Sequence, residues 1–149
     1  MEAQEMIQEQ LAEVLKERIR NADELQDNWD YGLEQCWKKE IAILSADVPA
    51  TIDYLLHDCT DEEFFWISEV FPDLPETVLS KELINAMRTR LNAIKPEEYH
   101  PDKFHSKTLQ DWGGFEKFIH SIQYDVNLTE GVLDYILWKK ETEGTEAKE

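Results

Sequence analysis

Residues 60–96 read Thr60-DEEFFWISEVFPDLPETVLSKELINAMRTRLNAIK-Pro96, and the fold class follows from them. Thr60 and Glu63 form a capping-box pattern, in which hydroxyl and carboxylate each satisfy a backbone N–H that a helix start leaves without a partner. The helix they open runs to about Phe71, where Pro72 and Pro75 remove backbone donors and stop it. Ser80 caps the next helix, which turns Leu83, Ile84, Met87, Leu91 and Ile94 inward and ends before Pro96. No strand-type alternation separates the two, so this region is all-α.

The same pattern extends in both directions. Upstream, Asp47 is an N-cap, Pro49 is tolerated in the first turn, and Val48, Ile52, Leu55 and Leu56 form a buried face. Leu33 to Leu44 repeats the helical period with Leu33, Cys36, Trp37, Ile41 and Leu44, and Glu2 to Arg20 does so with Ile7, Leu11, Val14, Leu15 and Ile19. Between them Asn21–Tyr31 is polar and acidic, a loop carrying Trp29 and Tyr31 and closed by Gly32. Downstream, residues 97–110 read as a long loop containing Pro101, His100 and His105. A helix from about Asp111 presents Trp112, Phe115, Phe118, Ile119 and Ile122, and Thr129 caps a last one with Val132, Leu133, Ile136 and Leu137. From Glu141 to Glu149 only Ala147 is apolar, and the tail is expected to fray. The expectation is one all-α domain over residues 1–149, of about seven short helices packed as antiparallel hairpins. Hairpins of about 30 residues suggest a solenoid-like stack, though no repeat stands out.

Charge narrows the function. Against 15 Lys and Arg stand 33 Asp and Glu, a net charge of −18 that opposes binding to nucleic-acid phosphate or anionic lipid. Neither nucleic acid nor a membrane is an expected partner. At 149 residues with 42% hydrophobic side chains, the chain can bury one core. No apolar run spans a bilayer, the start MEAQEMIQEQ lacks a secretory pattern, and Cys36 and Cys59 form no Cys-x-x-Cys pair. A cytoplasmic protein with two reduced, core-packed cysteines is expected.

No catalytic pattern emerges. Glu116 and His120 share a helix face, but a single such pair falls short of a carboxylate-bridged metal set, and no Cys and His cluster at zinc-ligand spacing. Gly113-Gly114 opens a helix where backbone N–H groups could meet an anion, but it reads more simply as a turn. No catalytic residue, cofactor or metal is expected, and the chain is read as a non-enzyme. A carboxylate-rich metal enzyme, holding iron or manganese, is the weaker alternative.

The acidity is concentrated. Residues 1–20 carry −2 and residues 76–149 carry −4, whereas residues 21–75 hold 14 acids against only Lys38 and Lys39, a net −12. With Phe64 at 0°, Ile67 and Phe71 lie within about 60°, while Glu62, Trp66, Glu69 and Asp73 fall at roughly 140–200°. That places an aromatic among carboxylates on the face away from the core, the composition of a hot spot for a basic partner. The candidate partner-binding residues are Asp53, Asp58, Asp61, Glu62, Trp66, Glu69 and Asp73.

The run Cys59-Thr-Asp-Glu-Glu-Phe-Phe-Trp-Ile-Ser-Glu-Val-Phe71, with Asp73-Leu74 and Ser80-Lys-Glu-Leu-Ile84, resembles the bacterial immunity proteins of polymorphic-toxin and contact-dependent growth-inhibition systems. Ile52-Asp-Tyr-Leu-Leu56 and Lys95-Pro-Glu-Glu98 agree in character, so the resemblance covers about residues 50–100. It implies a cytosolic all-helical antitoxin that binds and blocks one cognate toxin domain, many of which are nucleases with basic grooves. An acidic helical adaptor without a toxin partner is the alternative.

One residue breaks the pattern. On the helix from Leu33 to Leu44, Glu40 lies at about 340°, between Trp37 and Cys36 on the apolar arc. A buried ionised Glu needs a cation, and Arg88 or Arg90 is the expected partner. Glu40→Gln is then expected to lower stability.

Overall fold

In a computed structural model of the chain, the described backbone covers residues 3–148 and the described side chains residues 6–143. The chain is all-α: seven α-helices and no strand among the described residues. They are α1 (Ala3–Leu25), α2 (Asp30–Ser45), α3 (Val48–Asp53), α4 (Asp61–Ser68), α5 (Lys81–Asn92), α6 (Lys107–Gln110) and α7 (Phe115–Lys148). A π-helical turn, Tyr54–Asp58, continues α3, and 3₁₀ turns occupy Phe71–Asp73, Pro96–Glu98 and Pro101–Lys103. No described helix is long and apolar enough to cross a membrane.

The caps form as read. Thr60 Oγ1 accepts from Glu63 N at 3.1 Å, and Glu63 Oε1 accepts from Thr60 N at 3.0 Å. Asp47 and Ser80 accept from Ala50 N and Leu83 N, each at 3.1 Å. Each bond satisfies a donor that the helix itself cannot.

Several elements differ from the sequence reading. The first helix runs through the acidic segment to Leu25, shortening the expected loop to the turn before Asp30. Thr129 caps nothing: it is buried inside α7, its hydroxyl donating to Asp125 O at 2.6 Å, one turn back. The two expected C-terminal helices are therefore one, running to Lys148. Side chains from 144 onward lie outside the described residues.

α1 packs on α2 across their short connection, and also on α3, the π turn and α6. α7 packs on α4, α5 and the Phe71–Asp73 turn. Between these two long helices lies α4, with Glu62, Phe64, Phe65, Trp66, Ile67 and Ser68 all buried. A helix that is enclosed on all sides has no solvent face to give its polar residues.

Candidate functional site

Ile7, Leu11, Leu15, Arg18 and Ala22 recur along one line of α1, and all are buried. Arg18, 4% exposed, carries a guanidinium into the interior. Its Nε and Nη2 grip both oxygens of Glu69 at the end of α4, and its Nη1 donates to Asp27 Oδ1 at 2.8 Å. Trp37 Nε1, from α2, donates to the same Glu69 carboxylate at 2.9 Å. The guanidinium also lies 4.7 Å from the centre of the Trp66 ring. Burial opposes the Arg18 charge, but the carboxylates of Glu69 and Asp27 hold its pKa raised. Asp27 reaches it from the turn after α1, where Gln26 and Asp27 adopt positive φ, 52° and 61°. Aspartate tolerates that left-handed conformation better than most side chains.

Glu40 is buried as expected, but its expected pairing is not present. Arg88 is bonded to Asn127 and Glu130, and Arg90 to Cys59 O and Asp61. Neither Glu40 oxygen has a hydrogen-bond partner among the described residues. Burial, then the Glu69 charge, pushes the carboxyl up to about 9, against the pull of Arg18. At neutral pH this is a neutral acid, which removes the need for a paired cation.

Beside the arginine cluster opens a cleft of about 520 Å³, lined by Phe65, Trp66 and Trp112 together with Arg18, Glu69 and Asp125. Burial and the Glu69 charge raise the Asp125 carboxyl to about 6, with the Ser68 hydroxyl 3.5 Å away pulling the other way. Lys117 stands over the Trp112 ring, 5.2 Å from its centre.

The expected acidic stripe does not stand in solvent. Trp66 is only 3% exposed, because α1 lays Arg18 over its ring while Phe65 meets it edge-on at 5.3 Å. Glu62 is buried and accepts the backbone N–H groups of His105 and Ser106, each at 2.9 Å. Asp61 is engaged by Arg90, and Glu69 by Arg18. Four of the seven candidate contacts thus have internal roles. The reason is the second layer of helix over α4, which the 100° arithmetic of a single helix cannot register. Asp53 and Asp73 are exposed and Asp58 is partly so.

An exposed aromatic pair does occur in the acidic block, elsewhere. Trp29 and Tyr31, 47% and 66% exposed, stand at the α1–α2 turn with ring centres 6.3 Å apart. Gly32 makes room for them: a Cβ there would sit 2.2 Å from Trp29 Cε3. Asp30 and Glu34 flank the pair on α2 and are both exposed. Among the described residues, no ion pair engages Asp30, Glu34, Asp53, Asp58 or Asp73. The sequence placed both aromatics in the acidic segment without marking them as a site. The available signal was two large rings in a polar stretch with no periodic apolar neighbours to bury them.

The chain matches no protein-family model, no curated protein and no solved structure. Cys59 is buried with its thiol pushed up to about 12 by desolvation, so it is a poor nucleophile at neutral pH. Among the described residues, no three His, Cys, Asp or Glu side chains converge as metal ligands. The surface supplies the exposed Trp29 and Tyr31 rings and carboxylates that no ion pair engages among the described residues.

Proposed function

We propose that the protein is an immunity protein that binds and neutralises a basic toxin domain of nuclease type, acting in the cytoplasm by occupancy rather than by catalysis. One observation carries this reading: Trp29 and Tyr31 stand exposed beside Asp30 and Glu34, which no ion pair engages among the described residues, in a stretch of sequence with net charge −12. The rings supply a contact that excludes water, and the carboxylates supply the field that a phosphate-binding groove attracts. Asp53, Asp58 and Asp73 add to that field from the same block. The resemblance of residues 50–100 to immunity proteins of contact-dependent growth inhibition points to the same kind of partner.

The test is co-purification with the product of the adjacent open reading frame, followed by stopped-flow association across ionic strength. Opposite charges accelerate encounter up to ~10⁸–10⁹ M⁻¹s⁻¹ at low salt, so the association rate should fall steeply as salt rises. The absence of a toxin-like neighbour that binds, or an association rate indifferent to salt, would count against the proposal.

A further inference from the structure

The helix α7 has two apolar faces, and the protein uses one. Phe118, Ile122, Val126, Thr129 and Leu133 are buried on the side that meets α4 and α5. On the opposite side, about 160° around the helix, lie Tyr124, Leu128, Gly131, Tyr135 and Trp138. All four large side chains of this second stripe are exposed, and the Tyr135 and Trp138 rings lie 5.9 Å apart. Their steps of four, three, four and three residues are the spacing of a helix–helix seam.

Gly131 has no reason to be glycine within one chain. Inside a helix glycine costs about 1 kcal/mol relative to alanine. A Cβ at Gly131 would meet nothing within 4 Å, so no intramolecular contact requires its absence. A glycine at the midpoint of an open apolar stripe is what a close approach by another helix backbone requires.

We propose that α7 pairs antiparallel with α7 of a second copy about a two-fold axis at Gly131. The stripe is nearly self-complementary about that point. Trp138 of one copy comes level with Tyr124 of the other, and Tyr135 with Leu128, as an isologous interface demands. Aromatic side chains carry ~150–250 Å² each, so the four exposed residues leave on the order of 500 Å² open per copy. A pair would cover roughly 1,000 Å², about the threshold for a specific interface. The proposal does not depend on the toxin reading, and the two have opposite signs in salt. Two copies of charge −18 repel, so screening strengthens the dimer, whereas it weakens capture of a basic partner.

Sedimentation velocity from nanomolar to hundreds of micromolar protein, at low and high salt, tests it. The expected result is a monomer that dimerises in the micromolar range, with the dimer favoured by added salt. The double variant Tyr135→Ser, Trp138→Ser should weaken dimerisation at least tenfold. Gly131→Leu should do the same while leaving far-UV helicity and melting intact, since its side chain faces open space in the monomer. A protein that stays monomeric at the highest concentration and salt overturns the proposal, as does a dimer that Gly131→Leu leaves unchanged.

Discussion

Arg18 and Glu40 are charged residues at interior positions, and they answer burial in opposite ways. Arg18 keeps its charge by gathering Glu69, Asp27 and the Trp66 ring around it. Glu40 has no such company and gives up its charge. Its folded pKa of about 9 lies above the ordinary 4.5, so between these values the folded state holds a proton that the unfolded chain has lost. The stability it contributes is fully present below about 4.5 and declines as pH rises toward about 9. Glu40→Gln should therefore resemble wild type near pH 5 and exceed it near pH 8, the reverse of what a paired Glu40 would give. Urea melts across pH would show a wild-type decline of up to ~1.4 kcal/mol per pH unit that the variant lacks. Trp66→Ala should lower stability by roughly 3–5 kcal/mol, since the ring is core rather than interface. Arg18→Met should cost about 2–4 kcal/mol, because two carboxylates lose their cation while keeping part of their hydration. Both losses would be read as reduced urea midpoints. Arg18 was legible in the same way as Glu40: it falls on the Leu11–Leu15–Ala22 line of α1.

Among the elements, α6 shows how a short helix is held by its surroundings. Ser106 caps it locally, donating its own hydroxyl to Asp23 Oδ1 at 2.7 Å. Asp23, in the last turn of α1, also accepts from Lys107 N at 2.9 Å and Thr108 N at 3.0 Å. Burial alone would raise the Asp23 pKa, but the donors of Thr108, Ser106 and Lys107 together hold it below 3.8. Its contribution to stability is present above that value and is lost as pH falls through the lower folded pKa. Asp23→Ala should cost about 1–2 kcal/mol in thermal melts and should open residues 107–110 to amide exchange first. A four-residue helix whose local cap is backed by an aspartate from a distant helix is too short for local patterning to register, so its sequence reads as loop. The merging of two expected helices into α7 has a related cause. Thr129 suits a cap in isolation, but between Val126 and Leu133 it occupies the buried face and bonds its hydroxyl back along the helix.

For the whole molecule, the charge distribution sets what the surface can recognise. Within residues 21–75, the core takes Asp61, Glu62 and Glu69 into its own ion pairs and caps, leaving the carboxylates around Trp29 and Tyr31 to face solvent. Trp29→Ala should reduce affinity for the proposed basic partner by ~2 kcal/mol or more while changing stability little. Gly32→Ala should act in the same direction, although alanine is the better helix former, because the new methyl displaces the Trp29 ring. Isothermal titration beside thermal melts separates the two effects. An affinity indifferent to both substitutions would move the interface away from the α1–α2 turn.

The sequence by itself determined the helical class, the caps at Asp47, Thr60 and Ser80, and the burial of Glu40, because each depends on residues within a turn or two of one another. It also determined the size and concentration of the negative charge. Only the tertiary structure decided which carboxylates remain free, because that depends on which helices cover α4. Trp66 and Glu69 sit on the outward side of α4 taken alone, and α1 turns that side into interior by placing Arg18 across it. The same layering moved the exposed aromatic surface to Trp29 and Tyr31 and left a second face of α7 uncovered, outcomes set by contacts between residues dozens of positions apart.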